Sequence, residues 1–90
     1  MPVVWIPALL RPLTGGQARV QAAGATVQAV IVSLEAQYPG LQARLITDGQ
    51  LRPELAVVVD GQTSPLKLRQ PLTDASEVHF VIAMSGGAGP

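Results

Sequence analysis

The chain has 90 residues, six basic and six acidic side chains that cancel to a formal net charge of +0, no cysteine and one histidine. That length holds one domain, whose small core removes about two-thirds of the surface that the unfolded chain exposes. The composition excludes disulfides, thiolate metal sites and thiol nucleophiles, leaves His79 without companions for a metal site, and offers no basic stripe for nucleic acid. The opening stretch MPVVWIPALL lacks a basic start and is interrupted by Pro2 and Pro7, which argues against a signal peptide. No apolar run is long enough to span a bilayer. The expectation is a soluble cytoplasmic protein with neither nucleic acid nor membrane as partner.

Taken in chain order, Val3–Ile6 (VVWI) is β-branched and aromatic and predicts a strand that stops at Pro7. LTGGQ, Leu13 to Gln17, reads as a tight turn, and ARVQAA, Ala18 to Ala23, as the returning strand of a hairpin. Gly24 breaks that pattern. In TVQAVIVSLEAQYPG, the residues Val27, Val30, Ile31, Leu34 and Tyr38 recur at the helical period and predict one apolar helix face. Thr26 caps its start, although Ala29 stands where a capping box needs Glu or Gln, and Pro39-Gly40 ends it.

A polar loop centred on TDGQLRP follows. LAVVVDGQT then predicts a strand, a type I′ turn at Asp60-Gly61 and a short return. Leu66 to Leu72, with Pro65 and Pro71, reads as an irregular crossover. In the final strand, Glu77–Ala83, the residues Val78, Phe80 and Ile82 alternate with Glu77, His79, Val81 and Ala83. Its near-continuous apolar run suits a central place, parallel to the first strand. The order predicts an α+β domain of the β-grasp type: a mixed sheet of four to five strands with one main helix across one face. The domain is expected over residues 1–83, with a flexible C-terminal tail over 84–90.

The segments VWIPALLRPLTGGQ, GATVQAVIVSLEAQYPGL, LAVVVDG and EVHFVIAMSGG, in this order and spacing from Val3 to Gly87, resemble the ThiS/MoaD family of ubiquitin-like sulfur carriers. Each piece alone is common; their succession and the closing Ser-Gly-Gly carry the resemblance. Within the family, the wording IPALLRPLTGGQ is most similar to the carriers that supply sulfur for cysteine biosynthesis.

On the residues alone, the diglycine has two readings: a frayed end, or a reactive carboxyl terminus on a slender arm. The resemblance implies the second. An E1-like partner would use ATP to adenylate the carboxylate of Gly87, and a sulfur donor would displace AMP to leave a thiocarboxylate. The carrier itself would bind no cofactor, and the stretch from Ala83 to Gly87, ending in the tail Ser85, Gly86 and Gly87, would reach roughly 15 Å into a partner's active site. The departure from the family is that Ala88, Gly89 and Pro90 follow Gly87, so its carboxyl group is held in an amide. Three explanations stand open: trimming between Gly87 and Ala88 by a JAMM-type metallopeptidase, a cloning remnant, or lost carrier chemistry. Trimming is favoured.

Trp5, His79, Val81 and Ala83 form the expected partner surface, on the sheet face away from the helix. The alternative for Trp5 is a place under the Leu9–Leu13 loop, because the sequence does not fix which face of the first strand is buried. His79 reads as a strand residue at the edge of this patch. Arg52, Lys67 and Arg69 are scattered charges that read as solvated surface.

No nucleophile–base pair, metal cluster or phosphate-binding loop is present, so a stand-alone enzyme is not expected. Two classes remain. One is a sulfur carrier serving an accepting biosynthetic enzyme for cysteine, or for molybdopterin, thiamin or a specialised metabolite. The other is a ubiquitin-like modifier joined to lysines.

Overall fold

The structure is a computed structural model and describes residues 1–82. The expected boundary at residue 83 and the tail over 84–90 lie outside the described residues.

Strand β1 (Val3–Trp5) buries Val4 and is followed, after Pro7, by a 3₁₀ helix over Ala8–Thr14. The expected tight turn is therefore a longer, helical connection. It ends where Gly15 enters the left-handed region with φ 65 and donates its N–H to the carbonyl of Arg11. Strand β2 (Arg19–Gln21) returns antiparallel to β1, pairing Arg19 with Trp5 and Val20 with Val4.

Helix α1 (Val27–Gln37) presents Val27, Val30, Ile31 and Leu34 to the core, the face that its period of 3.6 dictates. Thr26 caps it as expected: its Oγ1 accepts from the Ala29 N–H at 3.2 Å. Gly24 holds the chain so close to the first turn that an added Cβ would lie 2.6 Å from the Val30 nitrogen.

Helix α2 (Leu41–Leu45) buries Leu41 and Leu45. The segment read as a polar loop is a miniature antiparallel hairpin, β3 (Ile46–Thr47) and β4 (Gln50–Leu51). Its turn is Asp48-Gly49, both at positive φ, the geometry a two-residue hairpin requires.

Strand β5 (Leu55–Val59) turns at Asp60-Gly61, with φ 50 and 85, into β6 (Gln62–Thr63), as the sequence predicts. The crossover contains a short 3₁₀ turn, Lys67–Arg69, and docks on the start of α1 through Val27 N–H to Gln70 O at 3.0 Å. Strand β7 (Glu77–Ile82) then enters the middle of the sheet.

The sheet order is β2-β1-β7-β5-β6, with β7 parallel to β1 and the other pairs antiparallel. The α1 stripe packs on Val4, Ile6, Val20, Val57, Val78 and Phe80. This is the β-grasp architecture. One strand residue differs from expectation: Ile82 alternates to the core side but is 50% exposed. Alternation sets the direction of a side chain, not whether anything covers it.

Candidate functional site

The tail leaves from β7, the strand with the most support. Asp60 ties its start to β5: the Asp60 N–H donates to Glu77 O at 2.9 Å, and Asp60 Oδ1 accepts from the Glu77 N–H at 2.9 Å. Register with β1 runs from Val3–Glu77 to Trp5–His79, and register with β5 runs the full length, from Val59–Val78 to Leu55–Ile82. Any tail beyond Ile82 is thus anchored on a strand held from both sides. Ala83, Ser85, Gly86, Gly87 and Ala88 lie outside the described residues.

The expected partner surface is assembled in part. With Val4 buried, the period of two turns Trp5 to the open face, not under the 3₁₀ helix. Its ring stacks on His79, with centroids 5.3 Å apart and planes 6° apart. Trp5 Nε1 donates to Glu77 Oε1 at 3.1 Å, and the Arg19 guanidinium lies 5.7 Å from the Trp5 ring centroid. His79 is half-buried beneath this stack, and its Nδ1 has no hydrogen-bond partner among the described residues. Val81, 41% exposed, continues the face beside Ala56. A row Arg19, Trp5, His79, Val58, Thr63 therefore crosses all five strands.

Arg19 and Glu77 are the members that the sequence reading missed. The alternation of β7 carries the signal for Glu77, two residues before His79. Arg19 becomes visible only once the β1–β2 register is known.

The electrostatics elsewhere are mild. Glu35, at the end of α1, accepts from the N–H groups of Gln42 at 2.8 Å and Gly40 at 3.1 Å. These bonds, that from Gln42 foremost, hold its carboxyl below the ordinary value of 4.5. This is a structural clasp between α1 and α2. Among the described residues there is no group of three or more His, Cys, Asp or Glu side chains able to hold a metal ion, and no helix long and apolar enough to cross a membrane.

Comparison with known proteins agrees with this geometry. The ThiS family pattern matches residues 4–87. The sulfur carrier protein CysO of Mycobacterium tuberculosis is 37% identical over 89 residues, covering 93% of this chain and 96% of that protein. A chain in the crystal structure of the Amycolatopsis orientalis BexX/CysO complex superposes with a TM-score of 0.87 at 30% identity, covering 92% of this chain and 96% of that one. Over a shorter stretch of 38 residues, 42% of this chain and 41% of the other, the small archaeal modifier protein 3 of Haloferax volcanii is 50% identical. The chain belongs to the ThiS family and is a sulfur carrier of the ThiS/CysO type, not an enzyme.

Proposed function

We propose that the protein carries sulfur as a thiocarboxylate on Gly87 and delivers it to an accepting enzyme of cysteine biosynthesis in the cytoplasm. The observation that carries this reading is that the family match runs through the Ser85-Gly86-Gly87 sequence and stops at Gly87. The cysteine assignment is supported by the length and identity of the match to CysO.

The chemistry follows from the tail. Gly87 is joined to Ala88 by an amide, so its carboxylate must first be freed by hydrolysis, the work of a JAMM-type metallopeptidase. A carboxylate is a poor electrophile. An E1-like enzyme therefore transfers AMP from ATP to it, releasing pyrophosphate. A sulfur donor attacks the acyl carbon and AMP leaves, so the carbon–sulfur bond replaces the carbon–oxygen bond to phosphate. The resulting thiocarboxylate is a good nucleophile at neutral pH. Glycines suit the arm because they lack a Cβ and pass through narrow tunnels in conformations closed to other residues. Residues 84–87 act as this arm once the chain is trimmed, and the Trp5, His79, Val81 and Ala83 face meets an enzyme that handles it.

The match to a small archaeal modifier favours one second reading, in which activated Gly87 is joined to target lysines. Intact mass of the protein from its native cells separates the two. Loss of everything beyond Gly87, with one oxygen exchanged for sulfur, is the expected result. A full-length, unmodified mass in the presence of the peptidase and activating enzyme overturns the reading. Adducts with whole proteins would favour the modifier.

A further inference from the structure

β7 outruns its partner on one side. Ser76 O accepts from the Val3 N–H on the β1 side, whereas Glu77 exchanges its bonds with Asp60 on the β5 side. Alternation then turns the backbone groups of Val78, Phe80 and Ile82 toward β1. β1 pairing ends at Trp5–His79, and Pro7 has no N–H to continue the ladder. The chain swings away there into the 3₁₀ helix. A groove of about 480 Å³ opens between that helix, through Pro7, Leu9 and Leu10, and the strand residues Leu55 and Ile82.

Two features of this groove ask for a partner. Leu9 is 85% exposed at its lip, and Ile82 on the opposite wall is 50% exposed. The rim is basic. Arg52 is engaged by Ala43 O and lies 3.9 Å from Glu54, whereas Arg44 is exposed and has no ion-pair partner among the described residues.

We propose that this groove docks the adenylating enzyme, which seats an apolar side chain from an acidic segment between Leu9 and Ile82 and sets a carboxylate against Arg44. This rests on the carrier reading of Gly87. Gly87 is the fifth residue after Ile82, a reach of roughly 17 Å when extended. An enzyme that closes on Gly87 therefore has its surface within that span of the groove. A second copy is disfavoured by charge, because a two-fold contact through this groove brings one Arg44 toward the other. The chain's own tail, Ala83 to Gly87, has no acidic side chain, and its one carboxylate, on Gly87, is the group that the enzyme takes into its active site.

The test is steady-state ATP–pyrophosphate exchange by the activating enzyme with the chain processed to Gly87. Leu9→Glu and Arg44→Glu should each raise the KM for the carrier roughly tenfold at unchanged kcat, the effect of losing one good interface contact. Val32→Glu, which replaces another exposed apolar residue on the outer face of α1, should leave KM unchanged. Thermal melts of all three should match the unsubstituted chain. Unchanged KM for the two groove variants, with the unsubstituted chain activated normally, overturns the groove and leaves the carrier reading intact. A dimer in sedimentation that Leu9→Glu dissolves overturns it in favour of a second copy. Failure of the unsubstituted chain to be activated overturns both.

Discussion

Trp5 lies flat on His79, with ring centroids 5.3 Å apart, at the last paired position of the two parallel strands that form the centre of the sheet. The stack joins the beginning of the chain to the strand that feeds its tail. It also buries His79 Nδ1 without a partner among the described residues. A phenyl ring in that place keeps the stacking and removes the orphaned nitrogen. His79→Phe should therefore match or exceed the stability of the parent, whereas His79→Ala should lose about 1 kcal/mol. Urea unfolding of both variants checks this; a destabilised His79→Phe would show that Nδ1 is satisfied in solution.

Gly24 is required for space, not for backbone conformation. Its φ lies outside the left-handed region, and the obstruction is the backbone of Val30 and Ala29, which cannot swing aside as a side chain does. Gly24→Ala should cost about 2 kcal/mol through displacement of the first turn of α1. Thermal unfolding measures it, with Gly49→Ala as the contrasting case in which space is open and only the positive φ of 76 opposes a Cβ.

Asp60 serves both the turn and the start of β7. Asp60→Ala removes the acceptor for the Glu77 N–H and places alanine at φ 50, so a loss of about 1–2 kcal/mol is expected. Hydrogen exchange at the Glu77 amide should accelerate more than at Phe80.

Glu35 gives stability that depends on pH. Its folded-state pKa is depressed by the Gln42 and Gly40 N–H groups, so the contribution is present above the unfolded value of 4.5 and is lost as pH falls through the folded one. Glu35→Gln should flatten part of the acid limb of a stability–pH curve and leave the curve above neutrality parallel to that of the parent. An acid limb unchanged by the substitution would contradict the clasp.

Chemistry at Gly87 has its own check. A chain in which Ala88 still follows Gly87 should support no ATP–pyrophosphate exchange with the activating enzyme, and a chain ending at Gly87 should support it fully. Exchange by the longer chain would place the reactive carboxylate elsewhere.

The elements that were legible in the sequence are those whose signal is periodic. The α1 stripe from Val27 to Leu34 and the Val78–Phe80 alternation each repeat often enough to fix a buried face. Asp60-Gly61 was legible because five apolar residues precede it. The same dipeptide chemistry at Asp48-Gly49 was not, since only two residues flank it on each side and no alternation can show. The 3₁₀ helix over Ala8–Thr14 hid behind Pro12 and the paired glycines, which read equally well as a turn. Trp5 was undecided until its pairing with His79 set the face. The Glu35 clasp reaches across a Pro-Gly break to Gln42, a distance over which sequence spacing carries no information.

The parallel alignment of β1 with β7 has a mechanical consequence. A machine that grips the tail pulls β7 along its own axis, away from β1 and β5 on either side. Every rung of both ladders is then loaded in shear at once, and none can be peeled singly. An enzyme can tug this arm repeatedly into its active site without unfolding the domain. A degradative motor starting from the same end meets its highest barrier at the first strand.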